Sequence, residues 1–308
     1  MTQTERRDQY ASFETIEVIA HPQWVQVTLA RPKARNAMSA AMVAELRQLF
    51  STLREDTEIQ AVVLRGAGGH FCAGGDVRDM RDALSKPLGE VELSEDLKGQ
   101  LEADPIAQLN RVFGTMLSEI QEAPQTVIVA LEGAVMGGGF GLACVSDIAF
   151  ALPSARFGLP EVTLGVTPAQ IAPFVVARVG LTRARQLALT GARFNADAAL
   201  AYGLVHEVCA DEGALETRIT ETLQRLSRCA PQARIATKSL LLSIERRVTT
   251  SLLDQAALRF AEAAREGEGM EGMMAFISKK PASWQEAWGE ASYSARARDT
   301  RPTSGGES

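Results

Sequence analysis

Runs of apolar residues predict strands in the first half of the chain. Apolar and polar positions alternate over 15–19 and 24–29, in the manner of a hairpin, and a turn over 31–36 follows them. Segments 61–65 and 126–131 are nearly continuous apolar runs, which are typical of buried strands. The pattern therefore predicts a sheet built from the N-terminal half.

Helical spacing lies between and after these strands. Ser39 is predicted to cap a helix with one apolar face, and a second amphipathic helix is predicted from Ile106 to Glu122, ahead of Pro124. Between Met80 and Pro105 the chain is polar and weakly periodic, which predicts a mobile cover. From about Pro173 the pattern becomes helical, in seven runs: 174–179, 182–190, 196–202, 212–227, 231–246, 252–265 and 268–278.

These elements predict an α/β protein with an appended helical region. We expect a core over 13–207 and a helical region over 208–284. Segment 1–12 is predicted to be disordered, and the polar end of the chain, 285–308, is predicted to be a flexible tail.

Composition excludes several classes of function. The chain has 308 residues, 46% of them hydrophobic, which is ample for a sizeable core. A net charge of -6 and a pI near 5.3 argue against a nucleic-acid surface. The start is polar, without the apolar stretch of a signal peptide, and the longest apolar run is broken at Ser146-Asp147, so we expect a cytoplasmic protein outside the membrane.

Cysteine and histidine spacing does not indicate a metal site. The four cysteines and three histidines are dispersed, without a Cys-x-x-Cys pair or a Cys/His cluster. A dinucleotide-like pattern occurs at 267–272, but it joins two predicted helices and carries two glutamates that would repel phosphates. We expect neither a metal nor a redox cofactor.

Two glycine-rich turns carry the strongest chemical signal. Residues 133–141 read Gly-Ala-Val-Met-Gly-Gly-Gly-Phe-Gly and open an apolar helix, which places backbone N–H groups at a helix start. Residues 66–76 read Gly-Ala-Gly-Gly-His-Phe-Cys-Ala-Gly-Gly-Asp and follow a predicted strand. Such turns can hold an oxyanion, although a close helix contact would also require glycine.

Together with the segment 155–165, Ala-Arg-Phe-Gly-Leu-Pro-Glu-Val-Thr-Leu-Gly, these turns resemble the crotonase (enoyl-CoA hydratase/isomerase) superfamily. The resemblance extends from about Thr15 to about Trp284. It implies a crotonase-like spiral of ββα units with a C-terminal helical oligomerisation region. The sequence 137–147 and the segment 167–176 resemble the branch of isohexenylglutaconyl-CoA and methylglutaconyl-CoA hydratases, which implies a role in acyclic terpene or branched-chain catabolism.

The resemblance assigns the chemistry residue by residue. It implies that the backbone N–H groups of Gly75 and Gly138 stabilise the negative charge on a thioester oxygen, where one such donor is worth ~3–4 kcal/mol. It makes Glu161 the proton-transfer residue, and the apolar neighbours of Glu161 should raise its pKa.

The sequence departs from the family at one position. The best-known hydratases carry a second glutamate where this chain has Gly141. This leaves a hydratase in which Glu161 acts alone, an isomerase in which Glu161 moves a proton between two carbons, and a non-catalytic binding protein. The intact Glu161 and both glycine turns favour an enzyme, and segment 167–176 favours the hydratase.

The resemblance also implies an acyl-CoA substrate, with coenzyme A as part of the substrate and no separate cofactor. Its expected contacts lie in both glycine turns, at four cations and at Ala37. They are Lys33, Arg35, Ala37, Ala73, Gly75, Asp76, Gly137, Gly138, Phe140, Gly141, Lys279 and Lys280. A homotrimer or homohexamer is implied as well. We expect association to cover an apolar stripe near the C-terminus that exceeds what one small body covers: Leu252, Leu253, Ala256, Leu258, Phe260 and Ala261.

Overall fold

A computed structural model describes residues 13–86, 97–245, 250–265 and 268–282. The predictions for 1–12 and 285–308, and part of the predicted cover, 87–96, lie outside these residues. The main sheet has six strands in the order β1-β2-β3-β4-β6-β9, antiparallel at β1–β2 and parallel elsewhere. Its strands are β1 (Ile16–Ala20), β2 (Trp24–Leu29), β3 (Ala61–Gly66), β4 (Thr126–Leu131), β6 (Ile148–Ala151) and β9 (Glu207–Val208).

A second, three-stranded sheet was not predicted from the sequence. It pairs β5 (Ala134–Met136) in parallel with β7 (Arg156–Gly158), and β7 pairs antiparallel with β8 (Arg193–Asn195). Each strand has three residues, too few for a periodic pattern to stand out. This sheet lies under the glycine-rich helix start and therefore positions it.

Helices pack around the sheets, and most of them lie where the apolar spacing predicts a helix. The described helices are α1 (Ala40–Glu55), α2 (Val77–Leu84), α3 (Leu97–Ala103), α4 (Pro105–Gln121), α5 (Gly138–Val145), α6 (Ala172–Thr190), α7 (Ala196–Ala201), α8 (Glu212–Leu226), α9 (Pro231–Glu245), α10 (Thr250–Arg265) and α11 (Glu268–Ser278). Two 3-10 turns, Pro32–Ala34 and Glu161–Leu164, complete the described elements.

Local sequence explains where these helices begin and bend. The Ser39 hydroxyl accepts a hydrogen bond from the Met42 N–H at 3.2 Å and caps α1, as predicted. The predicted runs 174–179 and 182–190 form one helix, α6, interrupted at Gly180, whose φ of 73° is left-handed. Part of the predicted cover between Met80 and Pro105 is helical, as the end of α2 and all of α3.

The C-terminal helices fold back onto their own chain. α10 packs against α4, and α11 packs against the Glu161–Leu164 turn. Leu253, Phe260 and Ala261 are consequently buried inside the chain. The expectation that association must cover these residues was therefore wrong, because α3, α4 and α11 already pack against α10. None of the described helices combines the length and apolar character needed to cross a bilayer.

Two contacts fix this arrangement. Arg265 of α10 makes a two-pronged ion pair with Asp104, at 2.6 and 2.9 Å, and Asp104 also caps α4. Gly272 of α11 lies so close to the Leu164 carbonyl that a Cβ would come within 2.4 Å of the oxygen. This glycine of the dinucleotide-like pattern therefore serves helix packing beside Glu161.

Candidate active site

Three parallel segments in register bring the predicted site residues together. Cys72 forms a parallel bridge with Val135, and Val135 pairs in parallel with Phe157. Because parallel segments end at the same edge, the residues that follow them meet there. Counted from these paired residues, Gly75 lies three positions after Cys72, Gly138 three after Val135, and Glu161 four after Phe157. The register of the small sheet thus assembles the site.

The Gly75 N–H points away from the neighbouring segment of the chain, which contains Met38. The Met38 N–H donates to the Gly74 carbonyl at 2.7 Å, and the Asp76 N–H donates to the Met38 carbonyl at 2.9 Å. The Gly74 carbonyl and the Gly75 N–H belong to one trans peptide and point in opposite directions. The Gly75 N–H is therefore directed away from Met38, at a residue that lines the central cavity.

The Gly138 N–H projects from the start of α5. The Gly141 N–H donates to the Gly137 carbonyl at 2.9 Å, so this carbonyl points along the helix. The Gly138 N–H, in the same trans peptide, points out of the helix start, where it has no intrahelical partner and the helix dipole is positive. Both predicted donors therefore belong to peptides of defined direction.

The two turns touch each other. A Cβ on Gly137 would lie 3.6 Å from the Gly74 Cα, and a Cβ on Gly138 would lie 3.9 Å from the Gly74 carbonyl carbon. Gly137 has a φ of 47°, a conformation that favours glycine. Among the glycines of this triplet, the left-handed dihedral therefore falls at Gly137. At Gly138 the constraint is space, since a Cβ would lie 3.2 Å from the Phe113 ring.

Glu161 begins the second 3-10 turn and faces Gly137, the residue that precedes α5. A Cβ on Gly137 would lie 2.9 Å from Glu161 Oε1. Oε2 is completely buried and accepts no hydrogen bond within the described part of the chain. Burial raises the pKa of Glu161 from 4.5 to about 7, and a backbone hydrogen bond opposes this only in part. A carboxyl with this pKa can both accept and return a proton near neutral pH.

Asp76 is a contrasting carboxyl in the same cavity. Burial by itself would raise the pKa of Asp76, but the hydrogen bond and charge of Arg31, together with the Arg78 N–H, lower it below its usual value. The distance from Arg31 Nη2 to Asp76 Oδ2 is 2.7 Å. Asp76 therefore stays ionised and paired, which suits it to hold the Gly75 turn and leaves proton transfer to Glu161.

Asn36 ties the first 3-10 turn to the Gly66–Asp76 loop. Its side chain is buried, accepts from the Arg31 N–H at 2.9 Å, and donates to the Ala67 and His70 carbonyls at 2.9 and 2.6 Å. The Ala73 N–H donates to the Arg35 carbonyl at 3.0 Å. These bonds hold the donor at Gly75 on a rigid support.

A cavity of about 730 Å³ surrounds these groups. Apolar side chains form much of its wall, among them Met80, Phe113, Ile171, Phe260 and Met273. Exposed arginines lie in its wall as well, namely Arg78, Arg81 and Arg193. The cavity therefore combines an apolar interior, where electrostatic interactions are strong, with cations suited to a phosphate-bearing group.

The predicted site residues divide into three groups. Those that line the cavity are Ala37, Ala73, Gly75, Asp76, Gly137, Gly138 and Glu161. Lys33 and Arg35 lie exposed beside Ala34 and Ala37, and Lys279 and Lys280 lie just after Phe276 and Ile277, which line the cavity. Their roles as phosphate contacts stay predictions.

Phe140 and Gly141 lie outside the residues that line the cavity. Phe140 is fully buried and packs edge-on against Phe194, with ring centroids 6.0 Å apart. A Cβ on Gly141 would lie 2.5 Å from Ile171 Cγ2 and 3.3 Å from Leu117 Cδ1. Apolar side chains therefore occupy the space where the second family glutamate would begin.

Sequence reasoning missed Asn110 and Phe113, which line the cavity from α4. Phe113 belongs to the amphipathic pattern of its helix, so periodicity alone assigns it to the core. Asn110 is one of several polar residues of α4, and only the position of this helix shows that Asn110 reaches the cavity.

The comparisons with known proteins agree with this geometry. Residues 22–287 match the family Enoyl-CoA hydratase/isomerase. The chain is 33% identical over 274 residues to enoyl-CoA hydratase AKT6-1 of Alternaria alternata, covering 88% of this chain and 84% of that protein.

Two solved structures are similar as well. Pseudomonas aeruginosa AtuE is 52% identical, with a TM-score of 0.69 and coverage of 88% and 99% of the two chains. An enoyl-CoA hydratase/isomerase of Marinobacter aquaeolei is 50% identical, with a TM-score of 0.71 and coverage of 88% and 98%. The family match, the fold and the converging glycine turns establish that this chain is an enzyme of the enoyl-CoA hydratase/isomerase family, within the crotonase superfamily.

Proposed function

We propose that the protein adds water across the conjugated double bond of an enoyl-CoA thioester, with Glu161 as the single proton-transfer residue. The observation that carries this proposal is a buried carboxyl with a pKa of about 7 beside the first turn of α5. Family membership supplies the thioester, and coenzyme A enters as part of the substrate.

The residues can perform the reaction in two proton transfers. The ionised Glu161 takes a proton from water while the oxygen of that water bonds to the β-carbon. The electron pair of the double bond moves toward the thioester oxygen, which the N–H groups of Gly75 and Gly138 stabilise. Glu161 then returns the proton to the α-carbon, which restores the carboxylate and the thioester carbonyl.

A single-glutamate mechanism is consistent with the packing around Gly141. Ile171 and Leu117 fill the space beside this residue, and Asp76 is committed to Arg31. Among the carboxyl groups in the described wall of the cavity, Glu161 therefore lies beside the start of α5 and forms no ion pair or hydrogen bond with another described side chain. The same feature would serve an isomerase, which makes the double-bond shift the second candidate.

For the acyl group we propose a glutaconyl-type thioester of the isohexenylglutaconyl-CoA or methylglutaconyl-CoA class. The sequence resemblance of segments 137–147 and 167–176 supports it. The apolar wall of Met80, Phe260 and Met273 suits an aliphatic chain. We also propose a homotrimer or homohexamer in the cytoplasm, as the family resemblance implies.

Turnover in ¹⁸O-labelled water tests the proposed reaction. The enzyme is incubated with α,β-unsaturated thioesters, with and without a second carboxyl group, and with β,γ-unsaturated isomers. We expect products that gain one labelled oxygen at the β-carbon, with the carboxylated thioesters preferred. Migration of the double bond without label would establish the isomerase instead, and binding without turnover of either class would refute catalysis.

A further inference from the structure

Asn110 is a polar side chain in the cavity wall without a partner in the described part of the chain. Its Oδ1 is completely buried and accepts no hydrogen bond from any described residue. Leu109 and Phe113, its neighbours on α4 that also line the cavity, are apolar. A buried amide oxygen without a partner costs roughly 1–3 kcal/mol, so a group that enters the cavity is expected to satisfy it.

Other polar side chains of the wall are bonded within the chain. The Ser39 hydroxyl caps α1, Asp79 accepts from the Ala40 N–H at 2.6 Å, and the Thr163 hydroxyl donates to the Pro160 carbonyl at 2.6 Å. The Gln170 amide nitrogen donates to the Leu253 carbonyl at 2.8 Å, while its Oε1, which also has no partner among the described residues, faces Gly114 of α4, where a Cβ would lie 1.8 Å from it. Asn110 is thus available to a ligand where Ser39, Asp79 and Thr163 are not.

The position of Asn110 relative to the reacting carbonyl is defined by α4. Phe113 contacts the Gly138 position, where the thioester oxygen binds in the proposed function. Asn110 lies three residues earlier, roughly 4.5 Å along the axis and on the same side of the helix. An extended acyl chain covers that length in about four carbon–carbon bonds.

We propose that Asn110 selects substrates that carry an oxygen-bearing substituent, a carboxylate or a hydroxyl, near the fifth carbon of the acyl chain. An amide side chain can rotate so that it donates to a carboxylate or accepts from a hydroxyl. A purely aliphatic chain would leave the amide without a partner, and the enzyme would bind it less well. The inference rests on the proposed function for the position of the thioester, but recognition of the substituent is independent of chemistry at the double bond.

Binding of saturated thioesters separates the inference from the proposed reaction. The probes are glutaryl-CoA, 5-hydroxypentanoyl-CoA and pentanoyl-CoA, which share a five-carbon acyl chain and have no double bond to hydrate. Dissociation constants are measured by calorimetry for the wild-type enzyme, Asn110→Leu and Asn110→Asp. Gln108→Leu is the matched control, because Gln108 is exposed on the same helix and does not line the cavity.

We expect the wild-type enzyme to prefer one or both oxygen-bearing probes over pentanoyl-CoA by about 10–100-fold, and Asn110→Leu to abolish that preference. Asn110→Asp should reject glutaryl-CoA in particular, through like-charge repulsion. Gln108→Leu should retain the wild-type preference. The identity of the preferred probe distinguishes a carboxylate from a hydroxyl.

Two outcomes would overturn the inference. One is a wild-type enzyme that does not prefer either oxygen-bearing probe. The other is an Asn110→Leu variant that weakens all three probes equally, since this would indicate a structural role. If the preference depends on Asn110 but the enzyme does not hydrate carboxylated enoyl-CoA, the inference stands and the proposed reaction fails.

Discussion

Glu161→Gln should remove activity and, at alkaline pH, stabilise the fold. Glutamine retains the shape of the side chain but cannot accept a proton, and loss of general acid–base catalysis costs about 10²–10⁴-fold in rate. In the folded protein, burial holds the pKa of Glu161 at about 7 rather than 4.5. The ionised carboxylate that catalysis needs is therefore the less favourable form in the buried site.

The sign of the stability effect follows from proton binding. Between about pH 4.5 and 7 the folded state holds the proton that the unfolded state releases, so the stability contribution of Glu161 falls as pH rises through this window. Each pKa unit corresponds to about 1.36 kcal/mol, which gives about 3 kcal/mol in total. Although Oε2 is buried, the residue as a whole retains some exposure, and we therefore expect about 2–3 kcal/mol at about pH 8.5.

Chemical denaturation of both proteins at about pH 4.5 and about pH 8.5 measures this effect. We expect the difference in unfolding free energy, variant minus wild type, to rise by about 2–3 kcal/mol between the two pH values. In parallel, the wild-type kcat/KM for hydration should fall about tenfold per pH unit below about pH 7, because the free enzyme loses its base.

Glu262→Gln is the control, since Glu262 is exposed on α10. It should change neither activity nor the pH dependence of stability. A stability difference that does not vary with pH would show that Glu161 is not held with a raised pKa in the folded enzyme. Retention of more than about a third of wild-type activity by Glu161→Gln would refute its catalytic role.

Three further predictions follow from the packing. Gly138→Val should abolish turnover in a folded protein, because the new Cβ would meet the Phe113 ring. The control Gly213→Val, at the exposed start of α8, should leave kcat unchanged, and equal kinetics of the two variants would refute the assignment of Gly138 as a donor. Asp104→Ala removes both the cap of α4 and the Arg265 pair, and should lower the free energy of unfolding in urea by about 1–3 kcal/mol at neutral pH. The loss should be smaller in acid, because the partners of Asp104 lower its pKa and their stabilisation is lost when acid protonates the native carboxylate; an equal loss at both pH values would contradict this. Light scattering should show a trimer or hexamer, whose contacts would include the exposed leucines of α9, and a folded monomer at micromolar concentration would contradict it.

Several local elements could be predicted from the sequence because their causes are local. The Ser39 cap and the apolar face of α1 depend on residues within a few turns of one another. The break at Gly180 follows from a glycine between two helical runs. The glycine turns and Glu161 could be identified through motifs, since the peptide geometry and the acid are encoded where they occur. The oligomeric state stays a prediction, and three residues of the stripe that suggested it, Leu253, Phe260 and Ala261, are buried within the chain.

The contacts that complete the site depended on the tertiary structure. Strands β5, β7 and β8 are too short for a periodic signal, yet the register of β5 and β7 brings Gly138 and Glu161 to one edge. The cavity role of Asn110 and the packing of Gly272 against Leu164 arise only when α4 and α11 are placed against the sheets. The sequence alone determined which groups can do the chemistry. Folding determined their distances and the pKa of Glu161, because both depend on residues far apart along the chain that exclude water together.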